Sequence, residues 1–289
     1  MPEGDTIFRA ARTLRLGLGG QKVTRFESTY PKLSRIDYDA PLTGRIIERV
    51  EARGKWMTIY FSGDLILLTH MLMSGSWHIY RPGEQWKRSR HDMRIVIETE
   101  KLHAIAFSVP VAEFHTAESL ARREGFKDLG TDLLAAEVNE TEIIRSLRSR
   151  PDLEVGVALM TQHLVSGIGN VYKSETCFAC RVNPFRRVES LTDAELAALV
   201  STARKFMRAN ISDTSSDKIV TYTGMRRTTG RANPTDRLWV YRRTGEPCRK
   251  CSTRIESRKQ GLDARTTFWC PNCQPMQHAA TAAASATRA

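Results

Sequence analysis

Apolar residues divide the chain into a first part with strand-like patterning and a second part with helical patterning. The opening run at 6–15 has apolar residues at helical spacing, and the glycine-rich residues 17–20 end it. Six short strand-like runs follow, separated by turn signals. They cover residues 23–28, 45–52, 55–61, 65–69, 93–98 and 102–107. This spacing predicts an antiparallel sandwich of about eight strands. Residues 53–55, Arg-Gly-Lys, fall at a hairpin turn, with Lys55 at its tip.

Helical patterning takes over after a polar and charged stretch that is interpreted as a linker. Helices are predicted at 140–148, 153–164, 171–180 and 193–210, and a further strand is predicted at 238–242. The segment 165–170 carries two glycines that permit a tight turn, and Asn170 is a good N-cap. Helix N-terminal amides there would hold a phosphate, although a plain helical hairpin explains the same residues. Residues 212–235 predict a mobile basic loop.

Four cysteines near the C-terminus form two CxxC pairs. The spacing Cys248-x2-Cys251-x18-Cys270-x2-Cys273 predicts one structural zinc ion, because two such pairs complete a tetrahedral site. Basic residues between the pairs predict a DNA-facing hairpin: Arg254, Arg258, Lys259 and Arg265. A third pair, at 177 and 180, lies on a predicted helix and is interpreted as core thiols.

The charge of the chain points to a polyanionic partner. Its 289 residues have a net charge of +12. Residues 218–274 contribute thirteen Lys and Arg against four Asp and Glu, which is nine of the twelve net charges. Nucleic acid is the simplest such partner. No apolar run has the length of a membrane span, and no signal peptide is recognised. We therefore expect a cytosolic protein whose cysteines are not in disulfides.

The first residues, Met-Pro-Glu-Gly, allow an unusual nucleophile. If Met1 is removed, Pro2 has a free secondary amine, and an α-amino group has a reference pKa of about 8. Such an amine attacks a carbonyl carbon to give an iminium, and Glu3 beside it is placed to transfer a proton. Most proteins that begin Met-Pro use Pro2 for no chemistry, so these residues alone favour an ordinary leader.

Taken together, the segments resemble the formamidopyrimidine-DNA glycosylase/endonuclease VIII family of base-excision repair enzymes. The matching segments are Met-Pro-Glu-Gly at 1–4, Arg-Gly-Lys at 53–55, Leu-Met-Ser-Gly at 72–75, Ser-Gly-Ile-Gly-Asn-Val-Tyr-Lys-Ser-Glu at 166–175 and Arg-Thr-Thr-Phe-Trp-Cys-Pro-Asn-Cys-Gln at 265–274. The resemblance implies an α+β protein with DNA in a cleft between two domains. The implied parts are a catalytic β-sandwich at 1–115, a helix–two-turn–helix domain at 133–235 and a zinc finger at 236–274. Composition adds a linker at 116–132, which is polar and charged, and a disordered tail at 275–289, which is rich in Ala, Thr and Ser.

The resemblance also implies roles for individual residues. Pro2 is the nucleophile that attacks C1′ of a flipped-out damaged nucleotide, and Glu3 protonates the sugar ring oxygen. Lys55 binds a phosphate and assists base loss. The remaining implied contacts are Arg265 and Asn170 on the phosphates near the lesion and Met73 in the gap left by the flipped nucleotide. Glu175 is also at a family-typical position, without a role assigned.

Two branches of the family differ in preferred lesion. The oxidised-purine branch carries an Arg-x-Phe in a sandwich loop, and residues 107–113 here have none. This favours the endonuclease VIII branch and oxidised pyrimidines, whereas Leu-Met-Ser-Gly at 72–75 is closer to the purine branch. The expectation is a monomer acting on damaged double-stranded DNA in the bacterial cytosol or nucleoid. A zinc-containing DNA-binding protein without chemistry, or a structural nucleic-acid protein such as a ribosomal component, remain the alternatives.

Overall fold

The computed structural model describes residues 2–212, Thr228 and residues 237–276. The basic loop predicted at 212–235 and the tail predicted at 275–289 therefore fall almost entirely outside the described residues. Backbone contacts group the chain into two compact units. The first contains the chain up to Val138, residues 162–168 and the end of the last long helix, and the second contains the other helices and the finger.

The first unit is built on two four-stranded antiparallel sheets. Their orders are β1-β6-β7-β5 and β2-β3-β4-β8. The strands are β1 Val23–Ser28, β2 Ile47–Arg53, β3 Trp56–Phe61, β4 Leu65–His70, β5 Ser76–Tyr80, β6 Met93–Thr99, β7 His103–Phe107 and β8 Val111–His115. This confirms the predicted sandwich of eight strands. The strands without a predicted run, β5 and β8, are only five residues long, and each lies at the edge of a sheet.

The core of this unit lies between the sheets and continues under the first helix. Helix α1, Gly4–Leu18, buries Ile7, Leu14 and Leu18 in the same cluster as residues from both sheets. Helix α2, Pro31–Asp39, was not predicted, because it buries only Leu33 and so has no apolar face to show in the sequence.

The stretch that the sequence suggests as a linker contains a short helix. This helix, α3 Ala117–Arg122, begins with a capping box in which Thr116 and Ser119 exchange hydrogen bonds with each other's backbone. A 3₁₀ turn at Arg90–Asp92 precedes β6.

The second unit consists of helices and the finger hairpin. The helices are α4 Glu140–Arg148, α5 Val155–Met160, α6 Asn170–Ala179 and α7 Asp193–Ser212, with a 3₁₀ turn at Val188–Ser190. The finger hairpin pairs β9 Glu256–Gln260 with β10 Arg265–Trp269, as the sequence predicts. Phe178 of α6 packs with Ile255 and Phe268 in the core of this hairpin. None of the helices in the described ranges is long and apolar enough to cross a membrane.

Two local predictions for this unit are wrong. Residues 238–242 form no strand, because the amides of three of them turn toward one carboxylate instead of a neighbouring strand. The N-cap of α6 is Gly169, so that Asn170 is the first helical residue. The side chain of Asn170 is bonded elsewhere and makes no cap.

Candidate active site and nucleic-acid interface

The N-terminus is seated against the segment that contains Gly167. Glu3 is extended at the N-cap of α1 and is fully buried, and Gly4 N–H donates to Gly167 O at 2.9 Å. A Cβ on Gly4 would lie 2.9 Å from Gly167 Cα and 2.7 Å from Met207 Cε. Only glycine allows this approach, so the contact holds the start of α1, which follows Pro2 and Glu3, against Gly167.

The turn that carries Lys55 reaches the same segment. Gly54 has a φ of +60°, and its N–H donates to Asp132 Oδ2 at 2.7 Å. A Cβ on Gly54 would lie 3.1 Å from Ser166 Cβ. Burial raises the pKa of the Asp132 carboxyl, although its amide hydrogen bonds favour the charged form. The hairpin turn predicted at residues 53–55 is confirmed. Ser166, which this turn contacts, directly precedes Gly167, which accepts the hydrogen bond from Gly4.

The segment 162–168 is braced from within. Gln162 Nε2 donates to Ile168 O at 3.0 Å, and Gln162 Oε1 accepts from Gly167 N–H at 3.1 Å. The hydroxyl of Ser166 is buried and has no hydrogen-bond partner among the described residues. A buried hydroxyl of this kind ordinarily has a partner, so its position between the two glycine contacts is suited to a polar ligand.

His70, at the end of β4, is a site residue that the sequence motifs did not single out. Its pKa is lowered to about 4, first by burial and then by the charges of Lys55 and Arg123. His70 Nδ1 accepts the Leu72 N–H at 3.0 Å. The neutral imidazole therefore holds the start of the Leu-Met-Ser-Gly segment, within the electrostatic influence of Lys55. Its only sequence signal is its place just before that segment.

The Leu-Met-Ser-Gly segment forms an apolar projection. Met73 is 61% exposed and Leu72 is 46% exposed, with a φ of +43° at Leu72. Ser74 Oγ donates to Ser108 O at 3.2 Å and holds the base of the projection. A second exposed apolar side chain, Leu72, thus accompanies the one expected to fill a gap in DNA. Large apolar side chains are usually buried, so this pair is suited to an apolar partner.

In the second unit, α6 and the finger hairpin meet at Asn170. Its Nδ2 donates to Thr266 O at 2.7 Å, and its Oδ1 is buried without a hydrogen-bond partner among the described residues. The N-terminus of α6 has no side-chain cap. Arg265 immediately precedes Thr266 and begins β10. An amide side chain at a helix N-terminus, together with a guanidinium group on the strand that this side chain contacts, is suited to a phosphate.

Glu175 has a structural explanation that the sequence did not provide. Its carboxylate accepts hydrogen bonds from the amides of Trp239, Val240 and Tyr241 and from the hydroxyl of Thr228. Burial raises the pKa of this carboxyl, while the four donors oppose that shift. Glu175 thus ties α6 to the strand-less segment before the finger.

The four finger cysteines fit a zinc ion. Their sulfur atoms all lie within 4.8 Å of one another, with separations of 3.4 Å between Cys251 and Cys273 and 3.8 Å between Cys248 and Cys273. A tetrahedral ion about 2.3 Å from each sulfur places the sulfurs about 3.8 Å apart. Cys270 completes the set. Cys177 is not part of it: the residue is fully buried, and burial raises its pKa to about 12.

The structure brings the predicted residues together in two groups, one in each unit. Pro2, Glu3 and Lys55 belong to the first unit, together with Met73. The second unit holds the remaining predicted residues, which are Asn170, Arg265, Cys248, Cys251, Cys270 and Cys273.

Comparisons with known proteins identify the class. Three family models match: the formamidopyrimidine-DNA glycosylase N-terminal domain at residues 1–110, its H2TH domain at 129–220, and the zinc finger found in FPG and IleRS at 245–275. The chain belongs to the formamidopyrimidine-DNA glycosylase/endonuclease VIII family, whose members are DNA glycosylases and AP lyases. The finger model and the sulfur geometry together define one structural zinc ion per chain.

Individual relatives point to the endonuclease VIII branch. The chain is 36% identical to a protein named probable endonuclease 8 2 of Streptomyces coelicolor, over 95% of this chain and 94% of the relative. It is 34% identical to the DNA-(apurinic or apyrimidinic site) lyase Nei2 of Mycolicibacterium smegmatis, over 95% of this chain and 99% of the relative. Among solved structures, Lactococcus lactis Fpg in complex with abasic-site DNA superposes with a TM-score of 0.78. The two chains are 22% identical, over 94% and 99% of their lengths, which supports the fold alone.

Proposed function

We propose that this protein removes oxidised bases, with pyrimidines preferred, from double-stranded DNA and then nicks the strand at the emptied site. The observation that carries the proposal is the shared segment 166–167. Gly4 donates to Gly167, and Gly54 packs against Ser166. Residues 166–167 thus contact both Gly4, which follows Pro2 and Glu3, and Gly54, which precedes Lys55.

The first step is nucleophilic. A base inside a duplex must be flipped out before its glycosidic bond is accessible. The Pro2 nitrogen attacks C1′, and the bond between C1′ and the base breaks. The base leaves with the electron pair of that bond and takes up a proton. Glu3 protonates the ring oxygen as the sugar opens, which leaves Pro2 joined to C1′ as an iminium. The buried position of Glu3 excludes water from this proton transfer.

The second step is elimination. The iminium draws electrons from C2′, so a C2′ proton is lost and the 3′ phosphate leaves, and a further elimination releases the 5′ phosphate. Lys55 is suited to hold a phosphate and to assist base loss, because it projects from a turn fixed by Asp132. Hydrolysis of the iminium then returns the free amine.

The remaining residues hold the DNA. Arg265 and Asn170 would bind phosphates flanking the lesion, supported by the unpaired Oδ1 and the uncapped α6 N-terminus next to them. Met73 would occupy the gap left by the flipped nucleotide, as apolar wedges do in other DNA-bending proteins. Its 61% exposure supports this assignment.

The lesion preference rests on a separate feature. Residues 107–113 lack the Arg-x-Phe of the purine branch. The names of the relatives, endonuclease 8 2 and Nei2, agree with that choice. Excision of 8-oxoguanine or formamidopyrimidine is the second candidate, because Leu-Met-Ser-Gly at 72–75 is closer to the purine branch. We further infer that the protein acts as a monomer, with the domain boundaries expected from the sequence.

Borohydride trapping tests the nucleophile. Reduction during turnover should convert the iminium into a stable adduct, and mass spectrometry should place the adduct on the peptide that begins with Pro2. A matched preparation with an added N-terminal residue should bind the same duplex with unchanged affinity but form no adduct and remove no base. If the blocked protein cleaves damaged DNA at the normal rate, Pro2 is not the nucleophile, and Lys55 becomes the next candidate amine.

A further inference from the structure

A chain of hydrogen bonds in the second unit links three buried side chains to the partly exposed Glu154. Lys173 Nζ donates to Thr267 Oγ1, and Thr267 Oγ1 donates to Gln260 Oε1 at 2.6 Å. Gln260 Nε2 donates in turn to Glu154 Oε2 at 2.9 Å and to Pro184 O at 2.8 Å. Lys173, Thr267 and Gln260 are 1%, 0% and 6% exposed. We call these four side chains, Lys173, Thr267, Gln260 and Glu154, the polar relay.

The charges at the ends of the polar relay set its direction. An ammonium group only donates, so Thr267 must accept from Lys173 and pass its own proton on to Gln260. An ionised carboxylate only accepts, so Gln260 must present its amide nitrogen to Glu154. Every bond therefore points from the lysine to the glutamate, and bonds aligned in this way polarise and strengthen one another.

A glycine makes room for the relay. A Cβ at Gly156 would lie 2.5 Å from Gln260 Oε1 and 2.9 Å from its Nε2. The amide of Gln260 therefore packs directly on the backbone of α5. The fit holds Gln260 in one orientation, in agreement with its three hydrogen bonds.

Two members of the relay are neighbours of Arg265 in the finger hairpin. Gln260 is directly opposite Arg265 in the ladder between β9 and β10. Thr267 is two residues beyond Arg265 on the same strand and so faces the same side of the hairpin. The intervening Thr266 gives its carbonyl to Asn170 at 2.7 Å. Helix α6 thus holds β10 at two consecutive residues, through Asn170 and Lys173.

From this arrangement we infer that Lys173, Thr267 and Gln260 are positioning residues for Arg265 in DNA binding. The inference rests on the proposed function, in which Arg265 contacts a phosphate. The relay sets where β10 begins relative to the α6 N-terminus, so that Arg265 and Asn170 address the same stretch of phosphates. Lys173, Thr267 and Gln260 are buried, so no DNA contact of their own is assigned to them.

A purely structural role for the relay predicts different results. Variants that break the relay would then have a lower melting temperature and less zinc, while the phosphate contacts of the protein that still folds would be unchanged. A positioning role instead weakens one specific contact in a protein that still holds zinc. The two are separated by the salt dependence of binding, because each phosphate contact contributes about 0.9 to the slope of log K against log salt on duplex DNA.

The experiment compares Thr267→Val, which keeps the shape and removes the hydroxyl, with Thr267→Ser, which keeps the hydroxyl. The probe is a duplex with one reduced abasic site, so that binding is measured without turnover. We expect Thr267→Val to bind about tenfold more weakly, since hydrogen bonds to charged groups contribute on this scale. Its salt slope should fall toward that of Arg265→Ala, with one zinc per chain retained. Thr267→Ser should restore affinity and slope.

The double variant Thr267→Val with Arg265→Ala decides whether the effect passes through the arginine. The expected affinity equals that of Arg265→Ala alone, because the arginine is no longer there to be misplaced. Additive losses in the double variant overturn the inference, as does a zinc-loaded Thr267→Val protein with wild-type affinity and slope. If Thr267→Val does not fold, Gln260→Met breaks the relay at its next member and is held to the same outcomes. If Arg265→Ala itself binds like wild type, the proposed role of Arg265 fails, and this inference fails with it.

Discussion

Replacing Gly4 by alanine should move the nucleophile without touching it. The added Cβ would lie 2.9 Å from Gly167 Cα, about 0.5 Å inside the 3.4 Å of an ordinary contact. The clash with Met207 Cε, at 2.7 Å, is relieved by rotation of a flexible side chain, but the clash with backbone is not. We therefore expect the first turn of α1, with Pro2 and Glu3, to shift by about half an ångström.

The magnitude follows from how steeply rates depend on placement. A displacement of about 1 Å costs on the order of 100-fold in rate, so half of that predicts about a tenfold slower base excision in Gly4→Ala. Overpacking costs roughly 1–3 kcal/mol, and the better helix propensity of alanine returns up to about 1 kcal/mol. The unfolding free energy should therefore fall by no more than about 3 kcal/mol.

Single-turnover excision and borohydride trapping, each on one defined duplex, measure the effect. Gly83→Ala is the control for the clash, because its added Cβ meets no atom within 4 Å and the only strain it adds comes from the positive φ of Gly83, which Gly4 does not share. The double variant Gly4→Ala with Met207→Leu should remain slow, since the backbone clash persists. A Gly4→Ala protein that excises and traps at the wild-type rate would refute the idea that contact with Gly167 places the nucleophile.

Three further outcomes are expected. Cys270→Ser should lose its zinc and its DNA binding while Cys177→Ser keeps both, as measured by metal analysis and titration with duplex; zinc retained in the first variant would contradict the assignment. Excision of oxidised pyrimidines should be faster than that of 8-oxoguanine in single-turnover assays on matched duplexes, and a clear preference for 8-oxoguanine opposite cytosine would remove the branch assignment but not the family. Hydrogen bonds from Arg123 lower the pKa of Glu113 from 4.5 to about 2, so this carboxylate stabilises the fold above pH 4.5 and the contribution disappears as pH falls toward 2. Between pH 4.5 and about 2, the melting temperature of Glu113→Gln should therefore fall less than that of the wild type. Equal falls would show that the Glu113–Arg123 pair contributes nothing.

The sequence predicts most where a feature depends on residue type and spacing alone. The zinc cysteines, the eight-strand sandwich and the Arg53–Lys55 turn are of this kind, and the structure confirms them. Features that depend on tertiary contacts were missed or wrong. Asn is a residue type that is common at N-caps, but the side chain of Asn170 donates to the carbonyl of Thr266 instead. The strand predicted at 238–242 is wrong for a similar reason, because the carboxylate of Glu175 accepts the amides that a neighbouring strand would otherwise bind.

Burial of polar groups was also invisible in the sequence. Nothing in the spacing of Lys173 or Gln260 predicts that both lie in the interior, because long polar side chains are ordinarily exposed. The Gln260 side chain fits because Gly156, about a hundred positions away in the sequence, has no Cβ. Such pairs become apparent only when the chain is folded.

The compact unit that begins at the N-terminus is not continuous in the chain. It includes residues 162–168 and the end of α7, so the partner of Gly4 is made more than 160 residues after Gly4 itself. During synthesis, the sandwich strands can pair long before this partner leaves the ribosome, which elongates at about 5–20 residues per second. A nascent or truncated chain that ends after β8 therefore has Pro2 but lacks the backbone that seats it. The backbone contact that seats the proposed nucleophile therefore forms only late in the synthesis of the chain.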